Sequence, residues 1–189
     1  MRNNQITKVQ IPDITWANDK ISWVSIPKNG NMATRKLLQQ HKVHKQNTRV
    51  VAPIHFCVFR NPYHRLISGV GEYSRRRNPA NKNIVHLLEQ LLEDPQPFDE
   101  HVEPQSVFID DHVFTHVFEF EHMEQQMHDS EIFEKPKLQR CINQSKANSS
   151  KTGAIDTIIE QNRVLVDDII NTHYQKDLEI FENLDCIKV

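Results

Sequence analysis

Ile21-Ser-Trp-Val-Ser-Ile-Pro-Lys-Asn-Gly-Asn-Met-Ala-Thr-Arg-Lys-Leu-Leu38 runs from an apolar, β-branched and aromatic segment through a Pro-Lys-x-Gly turn into a helix-forming one. The pattern predicts a strand, a tight loop and a helix N-terminus. That order builds a seat for a phosphate or sulfate. The first N–H groups of a helix have no acceptor inside it, and the helix dipole favours negative charge there. Lys28 adds an ammonium at the mouth of the seat, and Gly30 lets the backbone approach an anion with no Cβ in the way. The chain holds only four glycines, so one placed at this turn weighs more than it would in a glycine-rich sequence.

A second unit of the same kind follows. Ile54-His-Phe-Cys-Val-Phe59 reads as a buried strand and Arg60-Asn-Pro-Tyr-His-Arg-Leu-Ile-Ser68 as the helix leaving it. Asn61 suits an N-cap and Pro62 the first helical position. Arg60, at the strand's end, can grip a phosphate with two parallel hydrogen bonds. Either loop alone is as well explained by an ordinary turn whose cation faces solvent. Two of them at successive strand ends point to one ligand carrying two separated anionic groups.

The pair resembles the two signatures of sulfotransferases that use 3′-phosphoadenosine 5′-phosphosulfate. Ile26-Pro-Lys-Asn-Gly30 is similar to the 5′-phosphosulfate loop, and Val58-Phe-Arg-Asn-Pro-Tyr-His-Arg-Leu-Ile-Ser68 to the 3′-phosphate element, whose Arg and Ser fall on Arg60 and Ser68. Downstream, His101-Val-Glu-Pro-Gln105 resembles an H-x-x-P-Q segment of the carbohydrate-type branch. Val117-Phe-Glu-Phe-Glu-His-Met123 resembles that branch's strand ending in Glu. Ile142-Asn-Gln-Ser145 and Tyr174-Gln-Lys-Asp-Leu-Glu-Ile-Phe181 resemble its late Asn-x-Ser and closing Tyr-x-x-Asp helix. The likeness spans about residues 21 to 181 in the same order. It departs from the family where Met32 and Ala33 stand at positions commonly held by Thr and Ser, which leaves backbone N–H groups, Asn31 or Thr34 to supply the donors.

The resemblance implies one domain over residues 1–189, an α/β fold with a parallel sheet flanked by helices, of the P-loop NTPase-like sulfotransferase type. It implies transfer of a sulfuryl group from 3′-phosphoadenosine 5′-phosphosulfate to a hydroxyl acceptor, a saccharide in this branch, with 3′,5′-diphosphoadenosine as product and no metal. The cofactor-binding residues it assigns are Pro27, Lys28, Asn29, Gly30, Asn31, Met32, Ala33 and Thr34 in the first loop, with Arg60 and Ser68 in the second. Sulfuryl transfer has a loose transition state like that of phosphoryl transfer, so the protein mainly positions reactants and neutralises the leaving phosphate. Lys28 is assigned that second task.

A base must take the acceptor's proton, and histidine is suited to this near neutral pH. His101, opening the H-x-x-P-Q segment, is the first candidate; the competing reading is that it packs or caps its loop. His41, His44 and His55 lie between the two loops, and His55 alternates with apolar strand residues as a core histidine does. Glu119 and Glu121, at a strand end, are carboxylate alternatives. His112, His116, His122 and His128 raise the question of a metal. On a strand, His112 and His116 stand ~13 Å apart at ~3.3 Å per residue, too far to share one ion whose ligands each lie ~2 Å away. Arg75-Arg-Arg77, with Lys82, is the dense basic cluster, read either as attraction for an anionic ligand or as a solvated helix end.

Composition bounds the rest. Lys and Arg total 23 against 25 Asp and Glu, a net charge of −2, so no global basic field for nucleic acid exists. Cys57, Cys141 and Cys186 are odd in number and scattered, as expected of reduced thiols in a cytoplasmic protein. No apolar run approaches the ~20 residues of a membrane span, and Met1-Arg-Asn-Asn-Gln-Ile has no apolar leader. Strands alternating with helices predict a parallel sheet with its ligand at the carboxyl ends. Helices are expected over residues 63–77, 82–93 (capped by Asn81), 121–130 and 155–184, and a strand over 113–120. Two alternatives remain. One is a nucleotide-binding module on the same fold with little or no turnover. The other is a nucleotide kinase-like enzyme, disfavoured because G-x-x-x-x-G-K-[ST] is absent and Lys28 precedes its glycine.

Overall fold

Alternation along the strands decides the architecture. In a computed structural model that describes residues 15–47, 49–77, 83–95, 99–109, 112–133 and 153–184, β2 (Ile21–Val24), β4 (Ile54–Phe59) and β5 (His116–Glu119) run parallel and adjacent. Two further strands, β1 (Thr15–Ala17) and β3 (His44–Lys45), extend the β2 edge antiparallel, giving the order β3-β1-β2-β4-β5. The sheet is therefore mixed, which corrects the all-parallel expectation. Segments of two and three residues are too short to display a two-residue period.

Both sheet faces are covered. Ile21, Trp23, Phe56, Val58 and Phe118 point to one side, where they pack with Ala33, Leu37 and Leu38 of α1 (Asn31–Gln40) and Met123 and Met127 of α5 (Met123–Asp129). Val24, Cys57 and Phe59, of opposite parity, meet residues of α4 (Ser106–Ile109) and α8 (Gln175–Glu182) on the other side. This two-residue period is that of strands buried on both faces. A separate helical core joins α2 (Pro62–Arg77), α3 (Ile84–Glu93), α6 (Gly153–Gln161) and α7 (Arg163–His173) through Leu66, Leu88, Leu91, Ile169 and Ile170.

Helix ends follow local chemistry. Asn61 Oδ1 accepts from the N–H of Tyr63 at 3.0 Å, and Pro62 opens α2, as the sequence predicts. Asn83 caps α3, accepting from the His86 N–H, while the expected cap, Asn81, lies outside the described residues. The expected strand over 113–120 narrows to His116–Glu119, and the long C-terminal helix is broken at Asn162 and Tyr174. The Ile142-Asn-Gln-Ser145 motif, Cys141, Cys186, Lys82 and the Arg77 side chain lie outside the described residues. No helix among the described residues is long and apolar enough to cross a membrane.

His55 is a core residue. Its Nδ1 lies 2.7 Å from Ser22 Oγ and its Nε2 3.0 Å from His112 Nδ1, with Phe114 stacked on the ring. Burial, reinforced by His112 and Arg49, pushes its pKa down to about 4, so it is neutral at physiological pH. Cys57 is buried and free, and burial raises its thiol pKa far above the ordinary value. Such a thiol is inert.

Candidate functional site

The parallel strands β2, β4 and β5 all deliver their carboxyl ends to one edge, where the loops after Val24, Phe59 and Glu119 meet. Ligands of open α/β sheets bind at that edge. The loop after β2 turns through Lys28 and Gly30, both with left-handed backbone, at φ 69° and 75°. A non-glycine residue in that region is uncommon and, where it occurs, marks a functional constraint more often than chance. Gly30 then caps α1 with no side-chain hydrogen bond, so the first-turn amides of α1 are left for an external acceptor.

Gly30 is required twice over. Its φ of 75° is unfavourable for any residue with a Cβ, and a Cβ there stands 2.6 Å from Phe120 Cε2. Gly30→Ala is expected to cost about 2–4 kcal/mol, combining left-handed strain with overpacking. Thermal unfolding followed by circular dichroism checks this, and an unchanged Tm contradicts it. Gly69 has a parallel role: a Cβ at Gly69 collides with the carbonyl of His101, so glycine lets α2 lie against the His101 loop.

Five separate segments are stitched together around this turn. Arg60 Nη1 donates to the Lys28 carbonyl at 3.3 Å, joining the second loop to the first. Arg65, fully buried, donates from Nε to the Pro27 carbonyl at 3.1 Å, from Nη2 to the Glu100 carbonyl at 3.3 Å, and from Nη1 to the Glu103 carbonyl. Gln105 Oε1 accepts from the Arg60 N–H at 2.9 Å and from Asn29 Nδ2, while its Nε2 donates to the Arg60 carbonyl at 2.8 Å. Asn29 Nδ2 also donates to the Val58 carbonyl at 2.8 Å. Asp177 accepts from the amides of Gln105 and Ser106 at 2.7 and 2.8 Å. Tyr174 donates its hydroxyl to the Val102 carbonyl; burial raises its pKa, against the opposing Arg65 charge, and keeps it protonated. The Pro-Lys-Asn-Gly loop, the Arg60 element, the His101–Gln105 segment and the Tyr174–Asp177 pair are thus one polar network. The fifth segment enters through Phe120, which lies against Gly30 and carries the Arg60 guanidinium at 4.7 Å from its ring centre.

The cations are arranged at the mouth. Lys28 Nζ lies 3.7 Å from Glu72 Oε2, and that carboxylate also takes Arg75 Nη2 at 2.7 Å and Arg76 Nε. Burial lowers the Lys28 pKa; Glu72 opposes this, and Arg75 and Arg60 add to it. Glu72 is held below the usual carboxylate range because Lys28, Arg75 and Arg76 outweigh the upward push of burial. Arg60 Nε lies 3.5 Å from Glu121 Oε1. Among these described residues four cations share two carboxylates, an excess of positive charge suited to a polyanion. Arg75 and Arg76 therefore belong to the same charge cluster as Lys28 rather than to a detached helix end.

The remaining first-loop residues are placed unevenly. Pro27 and Asn29 are buried, Asn31 is half-buried with an unpartnered Oδ1, and Met32 is 56% exposed. Ala33 and Thr34 face inward, and the Thr34 hydroxyl donates to the Gly30 carbonyl at 3.2 Å. Thr34 is thus turned away from the loop mouth, contrary to the expectation that it supplies a donor there. Ser68 is half-buried on α2, one turn before Glu72.

His101 does not touch Lys28. Its Nδ1 and its backbone N–H both meet Asp99 Oδ1 at 3.0 Å. A carboxylate on Nδ1 holds the proton there and leaves Nε2 as the acceptor. A cleft of about 390 Å³ opens beside Arg76, Asp99, Glu100 and His101, and Arg76 links it to Lys28 through Glu72. Of the other candidates, His44 is exposed on β3, His41 packs edge-on against Phe133, Glu119 lies 3.8 Å from His122, and Glu121 is engaged by Arg60 and His64. No group of three or more His, Cys, Asp or Glu placed for a metal exists among the described residues.

Arg65, Glu72 and Asp99 escape a reading of the sequence by motif alone, whereas Asp177 is the Asp of the Tyr-x-x-Asp segment. Helical spacing offers a signal for two of them: Arg65 and Glu72 share one face of α2 with Ser68 and Arg76. Comparison with known proteins returned no matching family model, no matching curated protein and no matching solved structure.

Proposed function

We propose that this chain is a sulfotransferase that moves the sulfuryl group of 3′-phosphoadenosine 5′-phosphosulfate to a hydroxyl acceptor of the saccharide class. The observation that carries this reading is the joining of the two anion loops, Arg60 Nη1 to the Lys28 carbonyl at 3.3 Å. It sets two cations of separate strand ends beside one mouth, as a ligand with two anionic groups requires. The P-loop NTPase-like fold is part of the same proposal, supported by the parallel β2-β4-β5 order with both loops at the carboxyl ends. So is a cytoplasmic location, supported by the cysteine usage.

In this reading the α1 amides and Lys28 hold the 5′ end, and Arg60 and Ser68 hold the 3′-phosphate. The acceptor enters the cleft beside His101. The hydroxyl oxygen attacks sulfur as its proton passes to His101 Nε2. The bond from sulfur to the bridging oxygen breaks, and Lys28 neutralises the charge left on the phosphate.

Calorimetric titration with 3′,5′-diphosphoadenosine beside adenosine 5′-monophosphate and ATP tests the proposal. Tight binding that needs the 3′-phosphate is expected; no binding, or a preference for ATP, overturns it and in the second case favours a kinase-like enzyme. Arg60→Ala is expected to weaken 3′,5′-diphosphoadenosine by about 10- to 100-fold, the worth of a bidentate charged contact, and to leave adenosine 5′-monophosphate nearly unchanged. Retained discrimination between the two nucleotides contradicts the role of Arg60. A second reading, a nucleotide-binding module without turnover, is favoured by the exposed Met32 and the inward Thr34, which leave the loop mouth without a threonine hydroxyl. Sulfate transfer from labelled donor to a panel of glycans separates it from the enzyme.

A further inference from the structure

Each cation of the two proposed seats already has a carboxylate partner, and the partners come from different elements. Glu72 rises from α2 to Lys28, and Glu121 reaches Arg60 from the turn after β5. Both carboxylates are shielded, with side chains 15% and 29% exposed. Neither is a remote surface charge: an anion entering either seat competes with the carboxylate for the cation.

We propose that Glu72 and Glu121 are affinity-setting residues, internal counter-ions that an incoming anion must displace, one at each seat. The inference rests on the reading of Lys28 and Arg60 as anion seats and deepens it. A cation paired part of the time lowers the apparent affinity of its seat by the fraction of time it is free. For half-shielded pairs this amounts to roughly 3- to 10-fold per seat. A single inorganic anion gains one seat and meets one carboxylate, so its hold is weak at cellular concentrations. A ligand carrying two linked anionic groups meets both carboxylates, but once the first group is seated the second binds at high effective concentration. The positive excess supplied by Arg75 and Arg76 keeps the mouth attractive to such a polyanion. Ambient phosphate is excluded while the two-headed nucleotide is retained.

Titration of the full chain with inorganic phosphate, and separately with 3′,5′-diphosphoadenosine, at one pH and ionic strength tests this on Glu72→Gln and Glu121→Gln. Each substitution keeps side-chain volume, and an unchanged thermal midpoint certifies the fold of each variant. Phosphate affinity is expected to rise roughly 3- to 10-fold in either variant, and 3′,5′-diphosphoadenosine affinity by a similar factor, because each carboxylate opposes both ligands at its seat. Unchanged or weaker phosphate binding in both variants, or none in any of the three proteins, overturns the inference, and the carboxylates then only position their cations. Failure of the parent chain to bind 3′,5′-diphosphoadenosine overturns the sulfotransferase reading separately, because the phosphate comparison still decides the role of the carboxylates.

Discussion

Lys28→Ala is expected to lower turnover by about 10²- to 10³-fold while changing the affinity for the donor, 3′-phosphoadenosine 5′-phosphosulfate, by less than about tenfold. The asymmetry follows from where charge develops. In the ground state the bridging oxygen of a phosphosulfate carries little charge, and the loop amides and Arg60 supply most of the binding. As the bond to sulfur breaks, negative charge collects on the leaving phosphate, and a cation poised there gains most in the transition state. In the sulfotransferase reading Lys28 is that cation, held in a left-handed turn 3.7 Å from Glu72. Lys28→Arg is a useful companion, since a planar fork of fixed donors does not reproduce a compact ammonium. Single-turnover rates and donor affinity measured on the same preparations check the split. Equal losses in both quantities overturn the assignment, because a residue used only for binding loses uniformly.

The parts of this fold that local chemistry specifies were legible in the residues. β2, β4 and the entry to α2 follow from β-branched runs, a proline-containing turn and the Asn61-Pro62 pair. His55 was readable as core because its parity matches Cys57 and Phe59. What was not legible depends on contacts distant in sequence. β1 and β3 are too short to show a period, and they turn a parallel sheet into a mixed one. The candidate site shows the same division. Lys28, Gly30 and Arg60 announce themselves by spacing, whereas Glu72, Glu121 and Asp99 acquire meaning only from what they face. Thr34 is the converse case: its sequence position invites a donor role, but the helix phase turns it towards Met123 instead. The Thr34 hydroxyl is spent within the helix on the Gly30 carbonyl, so a loop motif that runs into a helix cannot assign every hydroxyl in it.

Asp177→Ala is expected to destabilise the protein by about 3–5 kcal/mol, because two buried amides lose a charged acceptor at once. Asp177 is fully buried, and its two oxygens accept separately from Gln105 and Ser106, at 2.7 and 2.8 Å. Alanine leaves both N–H groups without a partner and opens a small void, so neither water nor repacking restores the contacts cheaply. For a chain of this size the loss corresponds to a fall in Tm of about 6–20 °C. Asp177→Asn keeps the shape and one acceptor but faces the second amide with a donor, so a smaller loss of about 1.5–3 kcal/mol is expected. The consequence extends to the site, because Gln105 reaches the Arg60 N–H and carbonyl from the same loop. Either substitution should therefore weaken nucleotide binding at temperatures well below its own Tm, with the alanine variant the weaker of the two. Thermal unfolding and titration on the pair check both steps. A Tm within about 2 °C of the parent contradicts the energetic argument, since a loss of that size amounts to less than about 1 kcal/mol. A lowered Tm with unchanged affinity shows instead that the Asp177 anchor supports the core and leaves the Arg60 seat in place.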